Sequence, residues 1–342
     1  MRRRTPFGVL LGMLAVLHAV ILFAGFFAPY SVETQNRELP FAPPMRAHFA
    51  DAQGLHFRPF VYPWLPKPGR PDEYIEDRSR AFSVRFLVPG EPYRLAGLIP
   101  STVHLFWVDE PAHIYVFGTD GYGRDLFSRT LFGGQISLLA GLFATALSLA
   151  IGTALGSLAG FYGRWIDETL MRIAELFLAL PWLYLLFAIR AFLPLGISAW
   201  NAFLLLVGVI GAVGWARPAR LVRGVALAAR ERDYVRAARG FGASNFYLLR
   251  RHVVPQTYSV LLTQGALLVP QYILAEVTLS FLGLGVGEPV PSWGNLLASL
   301  QQYHVLVSCW WMFLPGLCMV PFFLGYSSLA VVLQERVGGA IL

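Results

Sequence analysis

Few residues in this 342-residue chain could do chemistry, and their spacing argues against most of it. The run GTDGYGRD brings Asp120, Arg124 and Asp125 within six positions. Two nearby carboxylates suggest a divalent cation, but a calcium site needs more oxygen ligands and a different loop spacing. A turn pinned by Arg–Asp pairing is the simpler expectation, with Gly118, Gly121 and Gly123 allowing tight backbone. Glu276 lies between Ile273 and Leu279 in apolar sequence, where a charge is costly unless paired or hydrated. It either faces a solute path or makes structural hydrogen bonds. Glu175 has Arg172 and Asp167 nearby and reads as a local interface cluster. His252 follows Arg250 and Arg251 without other metal-type ligands and reads as a hydrogen-bonding loop residue rather than a metal ligand, and His104, His113, Asp109 and Glu110 could make a weak nickel site but with unspecific spacing. No catalytic residue, resident metal or bound cofactor is expected. No G-x-x-x-x-G-K-[ST] run occurs, and Lys67 is the sole lysine, so nucleotide phosphate chemistry is not expected of this chain. Cys309 and Cys318 are too few for a disulfide scaffold.

The elements that carry these residues are apolar. Hydrophobic residues make up 56% of the chain and charged residues only 14%, and mean hydropathy is +0.55. Soluble domains carry about 25% charged residues, so a polytopic membrane protein is the expected class. The apolar stretches predict six spans: about Phe7–Ala28, Gly134–Phe161, Leu170–Leu193, Trp200–Ala216, Tyr258–Leu282 and Val305–Leu333. Each approaches the roughly 20 residues a helix needs to cross hydrocarbon. The first could be a signal peptide, but its apolar core is long and no clear cleavage site follows. Strand-like alternation is absent from the spans, which argues against a β-barrel. Small residues in the second span (Gly141, Ala144, Gly152, Gly156) favour close helix packing. Arg190 is expected to snorkel to an interface, and Trp293, Trp310 and Trp311 to form an aromatic belt.

Charge orients the chain. Arg2, Arg3 and Arg4 put the amino terminus inside, and six crossings put 162–169, 217–257 and the tail inside as well. The 217–257 stretch holds nine arginines and two acids, net +7, equal to the whole chain's formal charge. A basic loop beside an inner leaflet accounts for that charge without nucleic acid. The expected organisation is an amino-terminal tip and first helix (1–30), an extracytoplasmic insert (31–130), a five-helix core (131–335) and a cytoplasmic tail (336–342). The insert is rich in Pro and aromatics and cannot be one helix. Phe82–Val88, ending at Pro89-Gly90, could pair with Tyr93–Leu98 as a hairpin. At this length a small packed cap is expected, either contacting a delivery protein or shielding the outer face.

Within the basic loop, RERDYVRAARGFGASNFYLLRR (230–251) reads as helix, glycine turn, helix, with Pro255 before the next span. Ala237 and Ala238 allow close approach by a partner, and Gly242 permits a turn that a Cβ would hinder. On spacing alone, a partner-docking element and a generic interfacial helix both fit.

The loop resembles the cytoplasmic signature of bacterial ABC importer permeases: two alanines, a glycine and a closing proline. Ala237, Ala238, Gly242 and Val254-Pro255 fit it; Arg236 stands where an acid is usual and His252 where a hydrophobic residue is usual. Both departures suit the dipeptide/oligopeptide/nickel subgroup, whose version is similar to YVxAARxxGAS…RHxxP. Tyr234, Val235, Ala237, Ala238, Arg239, Gly242, Ala243, Ser244, Arg251, His252 and Pro255 match it. FFAPY (26–30), GTDGYGRDLFSR (118–129), LSFLGLG (279–285) and PSWGNLL (291–297) resemble the C-type (DppC/OppC-like) subunit in the same order. The resemblance covers 7–30 and 118–335, and residues 31–117 enlarge the usual outer region.

The resemblance implies an all-α polytopic fold of six transmembrane helices, the type I ABC importer permease fold, in the bacterial inner membrane with both termini cytoplasmic. It implies a second homologous permease, commonly as a heterodimer, two cytoplasmic ABC ATPase subunits that use ATP, and an extracytoplasmic solute-binding protein. It assigns coupling to the 230–255 loop, through Tyr234, Ala237, Ala238, Arg239, Gly242, Ala243 and Pro255. The cargo would be a peptide or related small solute, crossing between the two permeases. An ATPase-independent secondary transporter or channel is the alternative, but no inverted repeat is visible and the ordered loop argues against it. A polytopic membrane enzyme lacks a catalytic constellation at a membrane face.

Overall fold

The computed structural model describes residues 7–51, 54–192, 194 and 197–339. The Arg2–Arg4 triplet, on which the expected orientation rests, and residues 340–342 of the expected tail lie outside these residues. Helices α1 (Phe7–Leu22) and α2 (Ala24–Phe27) open the chain, and strands β1 (His48–Asp51), β2 (Gly54–Val61), β3 (Trp64–Lys67), β4 (Arg70–Glu76), β5 (Phe82–Ser83), β6 (Arg85–Leu95) and β7 (Ile99–Trp107) follow. Next come α3 (Leu126–Tyr162), α4 (Arg164–Ala179), α5 (Trp182–Ala191), α6 (Ala199–Gly214) and α7 (Ala216–Arg230). Then α8 (Asp233–Gly240), α9 (Asn245–Leu248) and α10 (Tyr258–Phe281), and finally α11 (Trp293–Ala298), α12 (Tyr303–Ser308) and α13 (Leu314–Gly339).

Among the described residues, three helical runs are long and apolar enough to cross a membrane: α3, the run Asn245–Phe281 and the run Trp310–Arg336. Two bent pairs raise the number to as many as five, if each pair is one span. The pair α4 and α5 bends by 92°, and α6 and α7 by 45°. Leu180-Pro181 separates α4 from α5, because proline lacks the amide a continuing helix needs and disfavours helical backbone before it. The single span expected over Leu170–Leu193 is therefore broken. The start of the basic loop expected over 217–257 is not irregular but forms the amphipathic helix α7, up to Arg230. Helix α1 is a shorter apolar helix. It continues into α2 across Phe23, whose amide still bonds the Ala19 carbonyl at 2.9 Å.

The insert, set apart from the helical core and expected to hold a hairpin, folds as antiparallel strands. β1, β2 and β5 form one sheet, and the pairs β3–β4 and β6–β7 form two ribbons. The hairpin arms differ from those expected from sequence. Pro89-Gly90 is not the turn; β6 runs through it, with an irregularity between Pro89 and Tyr93. Proline cannot donate to the ladder and so sits at such a fault. The chain reverses at 96–98 instead, where Gly97 has φ +76° and Leu95 pairs with Ile99.

The chain divides into two units. One comprises 15–137 and 280–321. Its insert closes over a core of Tyr30, Val61, Val84, Val108 and Tyr115, and a second cluster joins Leu126, Leu296, Val305, Trp311 and Met312. Trp293 belongs to this unit's interior rather than to an aromatic belt. It is fully buried, and its indole N–H donates to the Thr130 carbonyl at 3.0 Å, as a buried Trp requires. The preceding Ser292 forms a capping box with Asn295, which starts α11.

The other unit comprises 1–14, 138–279 and 322–342. Its α3 and α7 pack through a stripe of small residues. A Cβ at Gly152 would lie 2.7 Å from Pro218 Cβ, and one at Gly160 2.6 Å from the Arg223 carbonyl. Gly156 faces the Ala219 carbonyl in the same way. Without side chains there, the two backbones approach closely. Arg190 is buried and donates to the Pro194 carbonyl at 3.1 Å, so it does not snorkel.

Candidate functional site: the helix–glycine turn–helix loop

The loop between α7 and α10 is anchored on one face and bare on the other. Val235 of α8, Leu248 of α9 and Val253 are fully buried against Phe161, Ala226 and Ala229. Burying Val or Leu contributes about 1.5–3 kcal/mol each. Ala238 and Ala243 border this cluster. Arg230 donates to the Gly160 and Phe161 carbonyls at 3.3 and 3.5 Å, which covers the carboxyl end of α3. The Arg239 guanidinium lies 5.6 Å from the Phe161 ring centroid. Below them, Arg223 of α7 grips Asp167 of α4 in a bidentate pair, with Nη2 donating to Oδ2 at 2.6 Å. The loop is thus tied to the ends of α3 and α7, and α7 to α4.

The turn depends on one residue. Gly242 has φ +86°, and its amide and that of Ala243 close onto the Arg239 and Ala238 carbonyls at 3.0 and 3.1 Å. This left-handed backbone disfavours every residue with a Cβ. Ser244 then caps α9, its hydroxyl accepting from the Tyr247 amide at 3.2 Å. The run from α9 to α10 passes through a wide π turn (Leu249–Val253) and a tight turn (Val254–Thr257) containing Pro255. His252 sits between aromatic rings, 5.8 Å from Tyr234 and 5.7 Å from Tyr247.

The opposite face carries aromatics without a cover. Phe241 is 93% exposed and Phe246 69%, with Tyr234 and Tyr247 exposed beside them in the sequence. Arg236 bonds Glu231 at 2.7 Å at the edge. Exposed apolar groups next to charge, on an ordered support, are what a protein-binding surface requires.

The other sequence-predicted residues lie elsewhere. Glu276 is fully buried in α10. A cleft in the same unit, lined by Phe177, Trp182, Arg217, Gln271 and Tyr272, does not include it. Glu175 pairs with Arg172 at 3.6 Å, while Asp167 has left that group for Arg223. Asp120 and Arg124 do pair, at 2.7 Å, and Asp120 Oδ1 accepts from the Tyr122 and Arg124 amides at 2.8 and 3.0 Å. Gly123 has φ +74° and lies against the Asn36 carbonyl, leaving no room for a side chain. Asp125 is separate from the arginines. Its Oδ2 accepts from the Ser128 amide and hydroxyl at 2.7 and 2.6 Å, and burial pushes its carboxyl up to about 7.

The chain matches the family model described as "Binding-protein-dependent transport system inner membrane component" over residues 152–339. It is 36% identical over 261 residues to a protein of Brucella suis biovar 1 (strain 1330) whose name assigns it provisionally as a peptide permease. That match covers 73% of this chain and 83% of the relative. It is 37% identical over 229 residues to the oligopeptide transport system permease protein OppC of Bacillus subtilis (strain 168), covering 65% and 72%. It is 35% identical over 225 residues to the dipeptide transport system permease protein DppC of Alkalihalophilus pseudofirmus, covering 66% and 72%.

The chain belongs to this permease family. It is a multi-pass inner-membrane component of the ABC importer type, with homologues among the C-type dipeptide and oligopeptide permease subunits.

Two groups of this permease escaped the sequence reading. Glu288, 45% exposed, accepts from Arg124 Nη1 at 2.8 Å and from fully buried Arg129 Nη2 at 2.8 Å. Arg129 also donates to the Val32 carbonyl at 2.9 Å. The expected Asp120–Arg124 turn is thus part of a four-membered network that closes across more than 150 positions of sequence. No local pattern signals such a contact. The second is Asp167–Arg223, hidden because α7 was not expected as a helix.

Proposed function

We propose that this permease supplies half of a translocation pathway for peptides or a related small solute, and that the loop 230–255 couples it to ATPase subunits. The observation that carries this is the two-faced loop: Val235 and Leu248 bury one side, while Phe241, Phe246, Tyr234 and Tyr247 stand exposed on the other. A groove in an ATPase would receive the aromatic face. Displacement of α8 would then move α7 and the end of α3 as one body, since Arg230 and the buried cluster hold them together. An element biased between two arrangements by a nucleotide-dependent partner is enough for coupling. Gly242 sets the turn, Ala237 and Ala238 keep the helix slim, Arg239 and Ala243 brace it, and Pro255 ends the loop before α10.

In this reading 217–257 faces the cytoplasm, 31–130 faces outward, and both termini are cytoplasmic. The partners are a second, homologous permease, in a heterodimer, two ABC ATPases and a solute-binding protein. The permease binds no cofactor and acts as a transport subunit; ATP is consumed by its partners. The peptide assignment follows the names of the relatives. Glu276, buried in α10, serves the helix packing in this reading rather than cargo.

Tagged permease purified from its native membrane should bring down a second permease and P-loop ATPases. Phe241→Asp should abolish ATPase recovery while the second permease still co-purifies. Undiminished ATPase recovery with Phe241→Asp would remove the loop from the coupling role.

A further inference from the structure

The β6–β7 ribbon runs alongside α2, which continues apolar α1, and its contacts give its direction. Near the middle of the ribbon, the His104 ring nitrogens lie 2.6 Å from the Ala28 carbonyl and 2.8 Å from the Glu91 carbonyl. Nearer the turn, the Tyr93 ring packs on Gly25, where a Cβ would lie 2.8 Å from Cε2. Going towards the turn therefore means going backwards along the helix, from Ala28 to Gly25 and on towards α1. The pair Leu95–Ile99 is two positions beyond Tyr93–Ser101, or about 7 Å at the usual strand rise. At about 1.5 Å per helical residue, that equals four to five residues. The turn thus reaches the level of Val20 and Ile21.

A second set of contacts gives the same level. Gly97 and Arg94 share a cleft of about 340 Å³ with Gly25, Phe132 and Gln135. The Gln135 amide donates to the Ile21 and Leu22 carbonyls, at 3.0 Å each. The reversal of the ribbon is therefore level with the last turn of apolar α1 and the second and third turns of α3.

The residues at that reversal suit a bilayer edge and not water. Leu98 is 80% exposed and Ile99 62%, and Leu22 and Phe23 of the helix are exposed as well. Arg94 is exposed beside them and makes no ion pair among the described residues. The cleft's carboxylate, Glu91, is already engaged by the Ser31 amide at 2.6 Å and the Thr34 hydroxyl at 2.8 Å. Apolar groups pointing into acyl chains with a cation at phosphate level are the arrangement of an interfacial anchor.

We infer that the turn Arg94–Pro100 is a membrane anchor: Leu98 and Ile99 enter the leaflet in which α1 ends, and Arg94 meets lipid phosphate. The occupant is bilayer phospholipid, because the turn extends the lipid-facing surface of α1 at its own level. The β1–β2 hairpin, with exposed Leu55 and Phe57, pairs with β5 and serves as the control.

The test uses the full permease with its co-purifying subunits, in phosphatidylglycerol–phosphatidylethanolamine nanodiscs. With Cys309→Ala and Cys318→Ala as background, a bimane label is placed at Leu98→Cys, Ile99→Cys or Phe57→Cys. Emission is quenched by nitroxide lipid labelled near the headgroup, and separately by aqueous iodide. The anchor requires greater loss of emission to lipid nitroxide than to iodide at 98 and 99, and the reverse at 57. Stronger iodide quenching at 98 and 99 overturns it, since the turn is then in water. Protection from both quenchers also overturns it, since a protein then covers the turn.

Discussion

Replacing Gly242 tests the loop most directly. Its φ of +86° is left-handed, yet a Cβ there would meet no atom within 4 Å. The penalty for a side chain is therefore torsional, not steric crowding. It amounts to about 1–2 kcal/mol for alanine and up to about 3 kcal/mol for a β-branched residue. If the turn in place is the binding-competent form, each 1.4 kcal/mol lowers apparent affinity about tenfold. Gly242→Ala should thus weaken ATPase binding by roughly 5- to 30-fold at most, and Gly242→Val more. Gly240 is the internal comparison. It ends α8 without left-handed backbone and with nothing near its Cβ position. Gly240→Ala should be neutral or improve the loop by about 0.5–1 kcal/mol. Affinity for the purified ATPases, and cargo-stimulated hydrolysis in the reassembled importer, measure both. Wild-type affinity in Gly242→Val, or equal damage from Gly240→Ala, would refute the reasoning.

Leu248→Ala removes a fully buried side chain from the loop's anchor and should cost about 2–5 kcal/mol locally; amide exchange over 233–248 should accelerate while α10 stays protected. Gly156→Leu should push α3 from α7, since its Cβ position already meets the Ala219 carbonyl; overpacking costs typically about 1–3 kcal/mol, read as a lower aggregation temperature in detergent. Arg129→Met takes one of two arginines from Asp120 and Glu288, which keep Arg124, and removes the donor to the Val32 carbonyl, so exchange in 118–130 should rise. Asp125 predicts a pH effect: its folded carboxyl is raised by burial to about 7 from an ordinary 3.8, so the fold favours the protonated acid. The stabilisation is complete below pH 4 and is lost as pH rises through about 7. Thermal stability should fall between about pH 4 and about pH 7 and level off above that, and Asp125→Asn should flatten that profile.

The loop was legible because its signals are local. A helix former and a glycine suited to a tight turn both act within 230–248, while the Ser244 cap of α9 was found only in the structure. The membrane class was legible for a related reason: hydropathy needs no partner to be read. The insert was not, since Pro89-Gly90 signals a turn while the ladder pairing of β6 with β7 runs through it. Trp293 was misread because its acceptor, the Thr130 carbonyl, is 163 positions away.

Sequence by itself thus determined the membrane class, the family resemblance, the order of motifs and the shape of the 230–255 loop. These rest on hydropathy, on backbone preference and on short spacing. Only tertiary structure decided which charges meet, where the long spans break and which way the β6–β7 ribbon points. Arg129 finds Glu288, and Arg223 finds Asp167, only after the helices that carry them have packed. Such pairings depend on distances that close between segments far apart in the chain, and no local preference encodes them.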